Sequence, residues 1–115
     1  MTEFNRAFVD TCVFIYYLER NPNCFETVKE FFSYSYENSN ELVTSAVTIA
    51  EYSIIPYRNN DLNLIADFNR FLSDMAIHVA DVDRAVADKA AQIRAVHSSF
   101  KHMDALQLAV AVQNN

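Results

Sequence analysis

The sequence contains no glycine, and this absence excludes several kinds of binding site. Phosphate-binding loops and the dinucleotide-binding turn both need glycine, because the backbone there closely approaches a phosphate group. Neither can be built from this chain. Since only two prolines are present as well, we expect asparagine, aspartate and serine to form the turns.

Basic residues are also few, and the formal net charge is −6 over 115 residues. This balance argues against broad electrostatic binding to nucleic acid or to an anionic membrane. It does not exclude a nuclease, because carboxylates that hold a divalent metal are part of the same count. The longest apolar runs are far shorter than the roughly 18 residues that a membrane span needs.

Two features predict a reduced, cytoplasmic protein. The N-terminus lacks the basic segment followed by an apolar segment that marks a secretory signal. Only Cys12 and Cys24 are present, and Cys12 lies within an apolar run, which favours free thiols over a disulfide framework. Together with His78, His97 and His102, these cysteines also lack the spacing of zinc ligands.

Apolar residues make up 51% of the sequence, and their spacing predicts a single α/β domain over residues 1–115. Short apolar segments alternate with helical segments, which indicates a parallel sheet. The predicted strands are 4–9, 42–45 and 76–80, and the predicted helices are 11–20, 24–36, 46–57, a helix capped within 59–61 that ends near 74, a helix capped by Asp81 or Asp83 that ends near 96, and 102–112.

Two of these helices carry further expectations about burial. The helix at 11–20 is apolar nearly all round, so we expect most of its surface to be buried. In the helix at 46–57, an apolar stripe is predicted to face the core. The stripe consists of Val47, Ala50, Ile54 and Ile55, with Glu51 in its middle.

Three acids occupy positions where a solvent-facing acid is not expected. Asp10 follows the first strand, at the end where open parallel sheets bind ligands. Glu51 interrupts an apolar stripe, and Asp104 lies in the first turn of an apolar helix, where the helix dipole favours negative charge. If these elements pack side by side, the three carboxylates converge. Such a cluster suits a hard cation such as Mg²⁺ or Mn²⁺.

Each acid also has a structural interpretation. An aspartate after a strand often caps the following helix, as Asp10 would. Glu51 could form an ion pair with Arg58 or Arg94. An α/β phosphatase with Asp10 as the nucleophile is a further alternative, although that chemistry usually needs a second aspartate where this chain has Cys12.

Three segments in this order resemble the PIN-domain family, and within it the VapC-type toxins. They are Asp10-Thr11 with the following 15–18, then 44–51, then 104–109. The resemblance spans residues 8–112 and implies a three-layer α/β/α fold. It also implies a metal-dependent ribonuclease. In that family the positions of Asp10, Glu51 and Asp104 hold Mg²⁺ or Mn²⁺, and a hydroxyl like that of Thr11 orients the first acid.

The same resemblance implies partners. VapC-type toxins cleave RNA, bind a cognate antitoxin protein and are usually homodimers. The family pattern continues into a fourth strand and a further aspartate that this sequence does not reach, so we expect a truncated domain with three strands. The strand at 5–9 would then lack a neighbouring strand on one side, and we expect another chain to cover that edge. We also expect a divalent metal to bind weakly. The alternative interpretation is an inactive PIN domain that serves only as a protein-binding module.

Overall fold

The computed structural model describes residues 4–114, and within them the predicted α/β fold is confirmed. Residues 1–3 and 115 of the predicted domain lie outside this range. The strands are β1 (Arg6–Phe8), β2 (Glu41–Ser45) and β3 (His78–Ala80), and the helices are α1 (Thr11–Leu18), α2 (Phe25–Glu37), α3 (Ala46–Arg58), α4 (Leu62–Asp74), α5 (Arg84–Val96) and α6 (His102–Gln113). No helix in this range is long and apolar enough to cross a membrane.

The three strands form one parallel sheet in the order β1-β2-β3. The outer strands pair with different halves of β2: Ala7 lies opposite Leu42, and Thr44 lies opposite Val79. Strand β1 is therefore an edge strand within residues 4–114, as expected. Among the described residues, no second strand pairs with its outer side.

Helices cover both faces of the sheet, because successive residues of each strand point to opposite sides. Leu42 is buried on one face and Val43 on the other. The first face packs against α1, α2, α3 and α4, and the second face packs against α5 and α6. The larger core on the first face contains Val9, Phe14, Phe32, Leu42, Tyr52, Phe68, Leu72 and Ile77. The three-layer α/β/α architecture is thus present.

The predicted core face of α3 is wrong apart from Val47, which is buried as expected. Thr48, Tyr52 and Pro56 point inward at helical spacing, whereas Ile54 and Ile55 are 51% and 60% exposed. Tertiary contacts determine which face of α3 turns toward the core. The ring of Tyr52 stacks on Phe68 with a centroid distance of 4.1 Å, and Thr48 contacts Thr44 through a hydrogen bond of 2.9 Å. Helix α3 consequently exposes an apolar strip to solvent.

The expectation that α1 is buried on most of its surface holds only in part, since Val13, Tyr17 and Leu18 are partly buried against the core. Only Thr11 and Phe14 are buried, and Cys12 and Ile15 are exposed. Helix α1 has just eight residues and packs mainly against α2 and α3, so its other sides face solvent. An apolar composition does not fix how many neighbours a short helix has.

Four successive helices end at a residue in the left-handed region without glycine. These residues are Arg20, Ser39, Asn60 and Ala76, with φ between 52° and 56°. The N–H of the next residue then returns to the last turn, as where Ile77 donates to the carbonyl of Leu72 at 2.9 Å. Asparagine and serine were expected in these turns, but Arg20 and Ala76 were not. The left-handed conformation is less favourable in free energy for arginine and alanine than for glycine.

Candidate functional site

The carboxyl end of β1 places Asp10 at the start of α1. Asp10 is the N-cap residue, and its Oδ1 accepts a hydrogen bond of 2.8 Å from the backbone N–H of Thr11. The side chain is exposed, as is that of Asp104 in the first turn of α6, whereas Glu51 is half-buried. The prediction that all three acids avoid solvent is therefore wrong for two of them, because both lie where a helix begins and the surface is open.

Asp10 and Asp104 line the same pocket, of about 350 Å³. This pocket lies between the end of β1 and one side of α6. Its lining residues are Phe8, Asp10, Phe100, Asp104, Gln107, Leu108 and Ala111. Two of the three predicted acids thus meet at one surface, although 94 positions separate them in sequence (104 − 10).

Glu51 is connected to Asp10 through the intervening Thr11. The hydroxyl of Thr11, which is buried, donates to Glu51 Oε1 at 2.7 Å. This contact joins α1 to α3. Neither arginine proposed as a partner pairs with Glu51 in residues 4–114: the described ion pairs lie elsewhere, and Arg94 Nε donates to the carbonyl of Phe100 at 2.8 Å.

The three carboxylates are not a preformed metal-binding group. Within residues 4–114, no set of three or more histidine, cysteine, aspartate or glutamate side chains is arranged to hold a metal ion. Asp10 and Asp104 share a pocket, and Glu51 is bonded to Thr11, the residue next to Asp10. The oxygen donors at the pocket are nevertheless of the type that hard divalent cations prefer.

A buried amide, which sequence reasoning missed, connects these residues. Gln107 Nε2 lies 3.0 Å from Asp10 Oδ1, 3.2 Å from Thr11 Oγ1 and 2.9 Å from Thr48 Oγ1. Its Oε1 accepts a hydrogen bond from the hydroxyl of Ser45. Elements β2, α1, α3 and α6 therefore meet in one polar network.

Two sequence signals could have identified this network. Gln107 lies one turn after Asp104 in a helix that is otherwise apolar over 105–112, so the two side chains share a face. Thr44, Ser45 and Thr48 place three hydroxyls within one turn of the end of β2. Ser45 is also the N-cap residue of α3, and its Oγ accepts from the N–H of Val47 at 3.1 Å.

Among the described residues, His102, Cys12 and Cys24 form no hydrogen bond within this network. Both ring nitrogens of His102 lie close to Arg94 Nη1, at 2.7 and 3.1 Å. Cys12 and Cys24 are free thiols. Partial desolvation by the surrounding residues, together with the neighbouring Asp10 carboxylate, raises the pKa of the Cys12 thiol, although the residue is exposed overall. A raised pKa is the opposite of what an activated thiolate nucleophile requires.

Comparison with known proteins identifies a family for nearly the whole chain. The PIN-domain family model matches residues 7–115. No curated protein matches the chain. The matched range includes all six helices and every candidate site residue described above.

Proposed function

The chain belongs to the PIN-domain family, and we propose on that basis that it is a ribonuclease that depends on Mg²⁺ or Mn²⁺. PIN domains are in general nucleases that bind divalent metal ions. The proposal adds RNA as the substrate and hydrolysis of a phosphodiester bond as the reaction. The observation that carries it is the pocket lined by both Asp10 and Asp104.

The donors at this pocket fit a divalent metal. Mg²⁺ is commonly held by one or two carboxylates, while water and substrate phosphates complete its ligand shell. Asp10 and Asp104 supply two carboxylates, and Glu51 is the third proposed ligand, held by Thr11. A divalent ion, when bound, activates a water molecule and stabilises negative charge on the phosphate.

The charge of the chain supports a metal requirement. The net charge is −6, and the residues that line the pocket include two aspartates and no lysine or arginine. Carboxylates alone repel a phosphodiester. RNA binding at this pocket therefore needs a cation between the acids and the backbone of the nucleic acid.

We further propose that the protein is the cytoplasmic toxin of a toxin–antitoxin pair and a homodimer. The exposed side chains of Ile54, Ile55 and Tyr57 on α3 support a protein interface, since grouped apolar residues on a surface often mark one. The free side of β1 could likewise pair with a strand of another chain. A well-behaved monomer in solution, with this edge bare, would contradict the prediction of self-association or partner binding.

The alternative function is that of a protein-binding module without catalytic activity. One observation favours it: residues 4–114 contain no group of three side chains already arranged around a metal position. Such a domain would bind an antitoxin and leave RNA intact. We expect Mg²⁺ and Mn²⁺ to bind weakly whichever of the two functions is correct. Tight binding of either ion in calorimetry would contradict that expectation.

A cleavage assay separates the two functions. A structured RNA is incubated with the whole chain in Mn²⁺, in Mg²⁺ and with a chelator, and the Asp10→Asn variant serves as the control. The ribonuclease proposal predicts cleavage that the chelator abolishes and that Asp10→Asn greatly reduces. Cleavage that persists equally in Asp10→Asn would remove Asp10 from the mechanism. Absence of cleavage by the unmodified chain would favour the binding module.

A further inference from the structure

We propose that Gln107 is a positioning residue, whose side-chain amide orients the carboxylate of Asp10 and the hydroxyl of Thr11. The inference rests on the proposed nuclease function, since this orientation matters for catalysis only if Asp10 acts at the pocket. Gln107 is 7% exposed. It acts through Asp10 and Thr11 and is not assigned to the reacting atoms.

The surroundings of Gln107 make its amide costly unless both ends are bonded. Its neighbours Ala105, Ala109 and Val110 on α6 are completely buried and apolar. A polar amide buried without partners is strongly unfavourable. Here the amide oxygen and the amide nitrogen both have partners. Those of the nitrogen include Asp10, one of the predicted acids, and Thr11, which bonds to Glu51.

The direction of each hydrogen bond fixes how the amide is turned. Ser45 Oγ accepts from the N–H of Val47, so its own proton is free to donate to Gln107 Oε1. Asp10 can only accept when it is ionised. The amide nitrogen must therefore point toward Asp10 Oδ1, at 3.0 Å, with the oxygen toward Ser45.

The threonines complete this pattern. Thr44 donates to the carbonyl oxygen of Val9 at 2.7 Å, because that oxygen can only accept. The Thr48 hydroxyl then donates to Thr44 Oγ1 at 2.9 Å. This leaves a lone pair of Thr48 for Gln107 Nε2, also at 2.9 Å.

Thr11 is oriented by the same amide. Gln107 Nε2 also lies 3.2 Å from Thr11 Oγ1; because its two protons face three acceptors, this longest contact shares a proton with one of the others. The Thr11 proton is thereby directed to Glu51 Oε1, at 2.7 Å. One amide thus holds Asp10 directly and Glu51 through Thr11. Mutation of residues that orient the ligands of a metal typically lowers metal affinity or activity by about 10- to 100-fold.

Helix α6 therefore serves the pocket twice. Asp104 and Gln107 lie one turn apart on it, and both line the pocket that Asp10 also lines. The helix contributes one carboxylate and the amide that orients another. A change at Gln107 should consequently alter how Asp10 and Thr11 are held at the pocket.

The test compares Gln107→Met with Gln92→Met in the whole chain. Methionine matches glutamine in length but has no comparable donor, so Asp10 and Thr11 lose their partner. Gln92 is the matched control: it lies on the exposed side of α5 and also bonds an aspartate, with Nε2 at 2.7 Å from Asp88 Oδ2. The measured quantities are the unfolding midpoint, Mn²⁺ affinity by calorimetry, and kcat and KM for RNA.

For Gln107→Met we expect Mn²⁺ affinity and kcat to fall by about 10- to 100-fold, with KM for RNA little changed. Gln92→Met should leave all of these unchanged. Lower stability with unchanged Mn²⁺ affinity and kcat would overturn the proposal and make Gln107 merely structural. If Gln107→Met does not fold, Gln107→Leu replaces it. Leucine is close to glutamine in volume and has no hydrogen-bonding group, so the same losses are expected.

A second measurement separates this proposal from the nuclease function itself. In a double-mutant cycle of Gln107→Met and Asp10→Ala, denaturant unfolding should reveal coupling of at least about tenfold in the unfolding equilibrium constant, as for a bond to a charged group. Additive effects would overturn the positioning of Asp10 by Gln107, whatever the activity. Failure of the unmodified chain to bind Mn²⁺ or cleave RNA, with coupling present, would instead count against the nuclease function alone.

Discussion

The hydroxyl of Thr11 donates a hydrogen bond of 2.7 Å to Oε1 of Glu51, a residue 40 positions away in the sequence. The bond joins the first residue of α1 to α3 and fixes the half-buried carboxylate of Glu51 relative to the residue next to Asp10. Two of the three predicted metal ligands are thereby held in one framework.

Removal of this hydroxyl should affect both stability and activity. We expect Thr11→Val to lower the free energy of unfolding by about 1–2 kcal/mol, because a partly buried carboxylate loses a donor. RNA cleavage should fall by about 10-fold or more. Thr11→Ser should retain most of both, and Thr27→Val on the exposed side of α2 is the matched control. Thr11→Val with unchanged urea unfolding and activity would show that the bond contributes nothing.

The hydroxyl of Tyr52 predicts a stabilising substitution. Tyr52 is 3% exposed, and within residues 4–114 its hydroxyl has no hydrogen-bond partner. Tyr52→Phe keeps the ring that stacks on Phe68 and removes an unsatisfied polar group. It should raise the free energy of unfolding by about 1 kcal/mol. Tyr57→Phe, at an exposed position of α3, should change nothing. A clear loss of stability in Tyr52→Phe would mean that the hydroxyl has a bonding partner.

Because of the same residue, the free energy of unfolding should depend on pH in the alkaline range. Burial, with smaller contributions from the carboxylates of Glu19, Asp67 and Asp61, raises the pKa of Tyr52 from its ordinary value of 10 to about 12. The folded protein thus holds this proton more tightly than the unfolded chain does. The associated stability is fully present below pH 10 and is lost as the pH rises toward 12.

Denaturant unfolding at several pH values in this range measures the effect. The unmodified chain should lose on the order of 2 kcal/mol more than Tyr52→Phe between the two pKa values. The phenylalanine variant lacks the titrating group and so reports the contribution of all the others. Parallel curves for the two proteins would contradict the assignment.

Ala76 offers a backbone test. It follows α4 with a φ of 52°, a conformation that is unfavourable for alanine and free of this strain for glycine. Ala76→Gly should therefore raise the free energy of unfolding by about 1 kcal/mol. Ala91→Gly, inside the exposed side of α5, should lower it by about the same amount. Destabilisation by both substitutions would show that the strain at position 76 is negligible.

The features that could be predicted from the sequence are those set by neighbouring residues. Ser45, Asp61 and Asp83 begin three helices, and their side chains accept from backbone N–H groups two or three residues further on. Such caps depend on local sequence alone. This is why the helix boundaries were predicted to within one or two residues.

The features that could not be predicted depend on distant residues. The rotation of α3 follows from the packing of Tyr52 on Phe68, which no periodicity within α3 reveals. The contact between Gln107 and Asp10 joins residues 97 positions apart. The resemblance to a family selected the acids but carried no information about the amide that connects them.

The most direct test of the central claim is a double-mutant cycle in RNA cleavage with Asp10→Asn and Asp104→Asn. If both acids act at one pocket, each single variant should lose more than about 100-fold in rate, which exceeds the effect of residues that only orient the metal ligands. The double variant should then lose little more than either single variant. Asp74→Asn, at the exposed end of α4, should cleave as the unmodified chain does. Metal-dependent cleavage that survives in either single variant, or losses that multiply in the double variant, would contradict a shared catalytic site.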